Sequence, residues 1–339
     1  MPRPLVSVLL PVCNAAATVA RAVESIRRQT FTDWELIAVD DGSTDGTAGV
    51  LKELSRVEPR LRVFTRPHEG IVSALNAGLA ETRSGALIAR MDADDESFPE
   101  RLSEQFAFLR QHPEIGVVGS LVEFGGEAAQ AGYALHVDWI NGIVTEEAIA
   151  LNRFAEAPFA HPSVMFRRAL VAAYGGYRDG DFPEDYELWL RWLEAGVRMA
   201  KVPRVLLRWH DPPARLSRTA ARYNVAAFYR CKAPYLARWL RQHVAASRRI
   251  LVWGAGRPTR QRAALVEAQG VEVAGYVDID PKKRGRVLGT RRVIAPEELP
   301  PASEVFVIGY VAKRGARELA RGILGGRGFV EGRDFLIAA

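Results

Sequence analysis

The sequence predicts an α/β protein: a mostly parallel sheet flanked by helices, followed by a second, smaller α/β unit. Three observations predict it. Over the first 90 residues, short apolar runs alternate with segments of helical periodicity. Two of those runs end in acidic turns, Asp40–Asp45 and Asp92–Asp95, and open parallel sheets bind ligands at the carboxyl ends of their strands. A fresh strand, glycine turn and helix begin at Arg249.

The elements follow in order. Val6–Val12 is continuously apolar, as a strand buried on both faces should be. Asn14 falls in the next turn, and Thr18 is placed to cap a helix reaching Gln29, with Val19, Ala22, Val23 and Ile26 at helical spacing. Glu35–Asp40 is the second strand, Thr47–Arg56 a helix, Leu61–Thr65 the third strand, Gly70–Ala80 a helix, and Ala86–Met91 the fourth strand after Gly85. Then Asp92, Asp94 and Asp95 place three carboxylates in four residues. Such a group repels itself unless a divalent cation sits within it, and hard cations such as Mg2+ or Mn2+ take oxygen ligands. The alternative is that Asp94, Asp95 and Ser97 cap the helix that follows Pro99.

Further on, Ile115–Phe124 reads as a strand, Gly125–Asp138 as a loop, Glu146–Phe154 as a helix and Ala160–Phe166 as a strand. Leu188, Trp189, Trp192 and Leu193 form an apolar helical face, with Asp185 at the helix start where the dipole favours a carboxylate. Lys201–Trp209 is a strand. Tyr223–Val244 is a helical linker interrupted by Pro234, rich in aromatic and basic residues; it reads either as packing between domains or as contact with a membrane interface. Beyond it, Val271–Asp278 and Val305–Gly309 are strands and Gly315–Leu324 a helix, amounting to half a dinucleotide fold. Gly254 and Gly256 match two glycines of the dinucleotide fingerprint, and Thr259 holds the third place. A phosphate-bearing ligand at Gly254 and Gly256, with Asp278 towards its ribose, stands beside a docking or homodimer role. The domains are therefore drawn at 1–220, 221–247 and 248–339.

Bulk properties narrow the class. Apolar residues make up 48% and charged residues 25%, enough to bury a core. Two cysteines, Cys13 and Cys231, give no disulfide framework and suit a reducing cytoplasm. No secretory signal pattern or membrane-length apolar run is present. From Arg248 onward there are 17 Lys/Arg against 10 Asp/Glu, so the net +6 belongs to the C-terminal part. No nucleic-acid recognition motif accompanies that basicity, and no nucleic-acid partner is expected.

Four stretches carry a resemblance: Val6-Ser-Val-Leu-Leu-Pro-Val-Cys-Asn14, Ser25-Ile-Arg-Arg-Gln-Thr-Phe31, Val39-Asp-Asp-Gly-Ser-Thr-Asp45 and Ile88-Ala-Arg-Met-Asp-Ala-Asp-Asp95. Together they resemble family 2 glycosyltransferases over roughly the first 220 residues. The resemblance implies a GT-A fold, inversion, a divalent metal and a nucleotide-diphosphate sugar donor, most often with uracil as base. It implies that Pro11 and Asn14 border the nucleotide, that Asp41 accepts a hydrogen bond from the base, and that Arg90 and Asp92 lie along the donor, Asp92 at the ribose. Asp94 would ligate Mn2+ or Mg2+, and His161, in a matching His-Pro position, and His210 are added to that metal set. The Glu184-Asp185 pair matches the position of the catalytic base, with Asp185 preferred over Glu184. Arg215 and Ser217 fall in a loop that closes over the diphosphate in relatives. The helix reads Leu188-Trp-Leu-Arg-Trp192 where processive synthases carry Gln-x-x-Arg-Trp, which points to single-sugar transfer. The expected acceptor is a glycan or a lipid-linked glycan of the cell envelope, met in the cytoplasm or at the inner membrane face. A non-catalytic nucleotide-sugar scaffold and a sugar nucleotidyltransferase are the rival readings. The three aspartates Asp41, Asp94 and Asp185 oppose the first. The lack of an N-terminal glycine-rich phosphate loop opposes the second. The second domain resembles the N-terminal domain of some sugar acetyltransferases.

Overall fold

The computed structural model describes residues 4–83, 86–126, 131–212, 215–313 and 315–339. The chain forms two compact units: 1–149 with 158–220, and 150–157 with 221–339.

In the first unit, the elements are β1 (Val6–Val12), α1 (Val19–Arg27), β2 (Trp34–Asp41), α2 (Thr47–Val57), β3 (Leu61–Arg66), α3 (Ile71–Glu81), β4 (Leu87–Arg90), β5 (Glu96–Ser97), α4 (Arg101–Gln111), β6 (Ile115–Phe124), α5 (Ala131–Asn141), α6 (Glu146–Asn152), β7 (Met165–Arg167), α7 (Ala169–Tyr174), α8 (Glu184–Glu194), β8 (Arg198–Trp209) and α9 (Leu216–Thr219). The eight strands make one sheet in the order β3-β2-β1-β4-β7-β6-β8-β5. Strands β1 to β4 pair in parallel, as do β6 and β8, while β7 and β5 run antiparallel to their neighbours.

Alternation along β1 builds both cores. Val6, Val8, Leu10 and Val12 pack with α1 residues Val19, Val23 and Ile26 and with Leu102 of α4. Leu9 faces the other side, with Leu75 of α3 and Trp189 and Trp192 of α8. Strand β1 also outruns β4. Its last pair with β4 is Leu9 with Arg90, whereas its pairing with β2 continues to Val12 with Asp40. Pro11 therefore lies beyond the β4 ladder, where its missing N–H breaks no pairing.

The second unit contains α10 (Val225–His243), β9 (Arg249–Trp253), α11 (Arg257–Glu267), β10 (Val273–Val277), β11 (Val287–Leu288), β12 (Arg291–Ile294), β13 (Val305–Gly309), α12 (Ala316–Gly326) and β14 (Phe335–Ile337). The sheet order is β11-β12-β10-β9-β13-β14, parallel except for the β11–β12 hairpin. Its parallel strands thus follow the doubly wound order 3-2-1-4-5.

Several expectations change. The loop placed over Gly125–Asp138 contains helix α5 from Ala131, and 127–130, like Gly85, lie outside the described residues. The strand placed at Ala160–Phe166 is a 3-10 turn, His161–Ser163, followed by β7 at Met165–Arg167. Pro99 precedes α4 by two residues, and neither Asp94, Asp95 nor Ser97 caps it. Pro234 does not interrupt α10; the carbonyl it leaves without a partner belongs to Arg230, which is exposed. The rings of Tyr229 and Trp239 on α10 are buried against Tyr310 and Phe306 of the same unit. Half a dinucleotide fold was expected, and the short β11, β12 and β14 extend it to six strands.

Candidate active site

The acidic turn after β4 is fastened from below by the Ser25–Phe31 stretch. The Ser97 N–H donates to Ser25 Oγ at 3.1 Å, Gln29 Nε2 donates to the Phe98 carbonyl at 2.8 Å, and the Leu102 N–H donates to Gln29 Oε1 at 2.9 Å. Arg101, fully buried, donates to the Arg90 carbonyl at 2.6 Å and to Ser97 Oγ at 2.9 Å. Burial brings its guanidinium down to about 9.

On this footing the carboxylate oxygens of Asp92, Asp94 and Asp95 lie within 4.8 Å of one another. Burial and the Asp92 charge push Asp94 up to about 6, and burial with the Asp92 and Asp94 charges raises Asp95 well above the usual carboxylate range. Asp95 Oδ1 accepts from the His210 N–H at 2.8 Å, while buried Oδ2 has no partner among the described residues. Arg215 stands over the turn. It donates to Tyr133 Oη, lies 4.5 Å from the Trp209 ring, and its charge acts on all three aspartates. Ser217 is exposed.

A second group adjoins through Arg90, which is 1% exposed. Its Nη2 pairs with Asp92 Oδ1 at 2.7 Å, and its charge also reaches Glu184, Asp185, Tyr177 and His161. His161 is buried, with Nε2 2.8 Å from Tyr177 Oη, and burial together with Arg90 keeps its ring neutral. Tyr177 is held by a reciprocal pair of hydrogen bonds with Asn76. Asp185, in the first turn of α8, accepts from the Tyr186 N–H at 2.7 Å, and burial and Glu184 raise it to about 7. Glu187 and Arg191 pair on the same helix, and Arg191 donates to the carbonyls of Tyr174, Gly175 and Gly176. The Arg-Trp half of the sequence Leu188–Trp192 is thus a clamp on the turn before α8.

The expected residues do not all converge. Neither His161 nor His210 joins the three-aspartate group. His210 Nδ1 lies 3.1 Å from the Gly125 carbonyl and its buried Nε2 has no partner. Asn14, the one described non-glycine residue with positive φ, accepts at its Oδ1 from the Thr44 N–H at 2.8 Å. Asp41 is 3% exposed and accepts from the N–H groups of Glu69 and Gly70, each at 2.9 Å. In the second unit, Asp278 accepts from the Ala255 N–H at 2.7 Å and pairs with Lys283 at 3.1 Å, so its carboxylate closes the glycine turn at Gly254. Thr259 Oγ1 donates to the Tyr310 carbonyl. Sequence reasoning missed Tyr177, Arg101, Gln29 and Tyr133; for Gln29 alone, the quoted motif held the signal.

A mostly parallel sheet with this acidic rim has the GT-A fold. Two solved structures share that fold. The mannosyltransferase PcManGT from Pyrobaculum calidifontis in complex with GDP-Man and Mn2+ superposes with a TM-score of 0.51 at 19% identity, over 79% of this chain and 69% of that one. S. aureus TarS 1-349 in complex with UDP-GlcNAc gives 0.52 at 17%, over 78% and 71%. The model of glycosyl transferase family 2 matches residues 7–175. "Putative glycosyltransferase EpsE" of Bacillus subtilis is 33% identical over 66% of this chain and 78% of its own length. The amylovoran biosynthesis glycosyltransferase AmsE of Erwinia amylovora is 32% identical over 56% and 68%. The chain belongs to glycosyl transferase family 2.

Proposed function

We propose that the protein is an inverting, metal-dependent glycosyltransferase that moves one sugar from a nucleotide-diphosphate sugar to an acceptor hydroxyl in cell-envelope polysaccharide or glycolipid synthesis. The observation that carries this is Arg90. One buried cation pairs with Asp92 of the three-aspartate turn, and its charge acts on Glu184 and Asp185, which supports a donor at the first acting with a base at the second. The family model ends at residue 175, so the role of Asp185 rests on this geometry and on the sequence resemblance.

The residues fit a hard divalent cation. The three donors are all carboxylate oxygens, and one buried oxygen of Asp95 has no partner. Asp94 would hold Mn2+ or Mg2+ with Asp92 and Asp95; when bound, the metal supplies positive charge against the donor's diphosphate. Arg215 adds a fixed cation above the same turn and stabilises charge on the leaving diphosphate. Asp185 accepts the acceptor hydroxyl's proton, and its carboxyl near 7 is matched to that task. Neutral His161 packs its ring against Tyr177 and against Trp189 of α8. Asp92 and Arg90 orient the donor, and UDP is the first choice of carrier. The amylovoran enzyme and the UDP-GlcNAc complex of TarS support the polysaccharide and UDP readings, and the GDP-Man and Mn2+ complex of PcManGT supports the metal.

The test is Asp185→Asn, with transfer and donor binding measured separately. Transfer should fall by about 10²–10⁴-fold. Calorimetric affinity for the nucleoside diphosphate in Mn2+ should stay within about twofold. A variant that transfers sugar at the wild-type rate removes Asp185 as base. A panel of UDP, GDP, dTDP, CDP and ADP, each with and without Mn2+, names the carrier; absence of any metal-dependent binding overturns the donor site.

A further inference from the structure

We propose that the second unit is a receptor for a segment of its own chain, residues 150–157, and that Lys232, Arg317 and Arg321 thereby act as positioning residues for sugar transfer, a role that rests on the glycosyltransferase reading above. The segment belongs to the second unit, although the chain on either side of it, up to Ile149 and from Pro158, belongs to the first. Doubly wound sheets take ligands at the carboxyl ends of the strands where the order reverses. Here that point lies between β9 and β13. Tyr310 directly follows β13, and its ring meets Tyr229 of α10 at 6.1 Å. Lys232, a turn further along α10, has its Nζ 3.9 Å from the Tyr229 ring centre. The same Nζ donates to the carbonyls of Phe154 and Ala155, at 2.7 and 3.2 Å.

The grip runs along the whole segment. The Phe154 ring is buried against Trp239 of α10. Arg317, in the first turn of α12, pairs with Glu156 at 3.5 Å. Arg321, a turn later, donates to Asn152 Oδ1 at 2.9 Å and is itself held by Glu331. Arg262 lies over the Tyr229 ring at 4.3 Å. Burial lowers the Lys232 amine well below the usual lysine range, and the Glu156 charge opposes this. An acidic side chain of the chain itself thus offsets the basic residues at the ligand end of the sheet. Leu151 fits because residue 332 is glycine: φ there is +85°, and a Cβ would stand 2.8 Å from Leu151 Cδ2. Beyond the segment the chain runs into Phe159 and His161, whose rings meet Trp189 one turn after Asp185 on α8. Holding 150–157 therefore fixes where the chain enters the turn packed on the helix of the proposed base.

The experiment follows backbone hydrogen exchange of the full chain by mass spectrometry, beside transfer and donor binding. Lys232→Met should speed exchange of peptides covering 150–160 at least about tenfold, and Arg317→Ala and Arg321→Ala, at partly buried side chains, about threefold. Exchange in β1 to β4 should not change. The exposed pair of Arg249 with Glu304 supplies the control, because Arg249→Ala should alter neither region. In the three strap variants kcat for transfer should fall in step with the faster exchange, while nucleoside diphosphate affinity in Mn2+ stays within about twofold. Unchanged exchange at 150–160 in all three overturns the receptor. Faster exchange there with undiminished transfer overturns the positioning role. Where Lys232→Met loosens the second unit throughout, the two arginine variants decide. Exchange needs no sugar donor, so the receptor stands or falls apart from the glycosyltransferase reading.

Discussion

At the tip of β2, aspartates are taken up by the protein's own loops; at the tip of β4, they are crowded together and left facing one another. Asp41 accepts two backbone N–H groups from the turn before α3, and Asp45 accepts from the Ala16 N–H and from Thr47. One oxygen of Asp40 has no partner, but its other oxygen holds the Ser43 N–H. At β4 burial first, and the like charges of the neighbouring aspartates second, raise the carboxyls of Asp94 and Asp95. The same residue type thus builds loops at one tip and stores repulsion at the other. Stored repulsion of this kind marks a place where an added cation lowers the free energy.

The largest expected effect that tests this contrast is Asp94→Ala. It should cost about 10²-fold in Mn2+-dependent donor affinity while leaving metal-free binding almost unchanged; equal affinity with and without Mn2+ in both proteins would break the distinction. Next is Asp41→Asn, which removes a charged acceptor from the Glu69 and Gly70 N–H groups and should lower unfolding stability by about 1–2 kcal/mol. Asp94→Asn, by contrast, should raise metal-free stability above pH 6, where it removes a buried charge that opposes folding, and chemical denaturation of the two variants measures the split. Tyr177→Phe should cost about 1 kcal/mol, the net worth of one hydrogen bond to His161, and should move the acidic limb of the rate profile by a fraction of a pH unit. With Asp185 as the proposed base, transfer should fall as pH drops through about 7, because protonation would remove the base. The smallest effect is on metal-free stability. Asp94 binds its proton more tightly folded than unfolded, so its stabilising contribution is present below the unfolded carboxyl value and is lost as pH rises through about 6. Thermal melts of metal-free protein between pH 4 and 7 should show this slope, flattened in Asp94→Asn.

The contrast also explains what could be read from the sequence. The strands of the first unit were legible because each is a continuous apolar run, and the acid turns were legible because like charges so close together are unusual. Helix α5 was not, because Gly125, Gly126 and Gly132 gave its approach the look of a loop. The strands β5, β11, β12 and β14 have two to four residues each, too few for a period to register. Asp41 was expected at the base of a nucleotide, and its two bonds to Glu69 and Gly70 depend on a turn 28 residues away. His161 and Tyr177 meet across a turn and a helix, and Arg215 meets Tyr133 across 82 residues. Partners at such separations carry no local pattern.

The unequal lengths of β1 and β4 set a size requirement. Pairing of β1 with β2 continues three residues past its last pair with β4, about 10 Å of strand rise. The rim is therefore terraced: Asn14 and Asp41 stand on an upper step, and the three-aspartate turn follows from a lower one. On the proposed donor reading, a base at the upper step and a diphosphate at the lower one would be held at a separation that the strand lengths set.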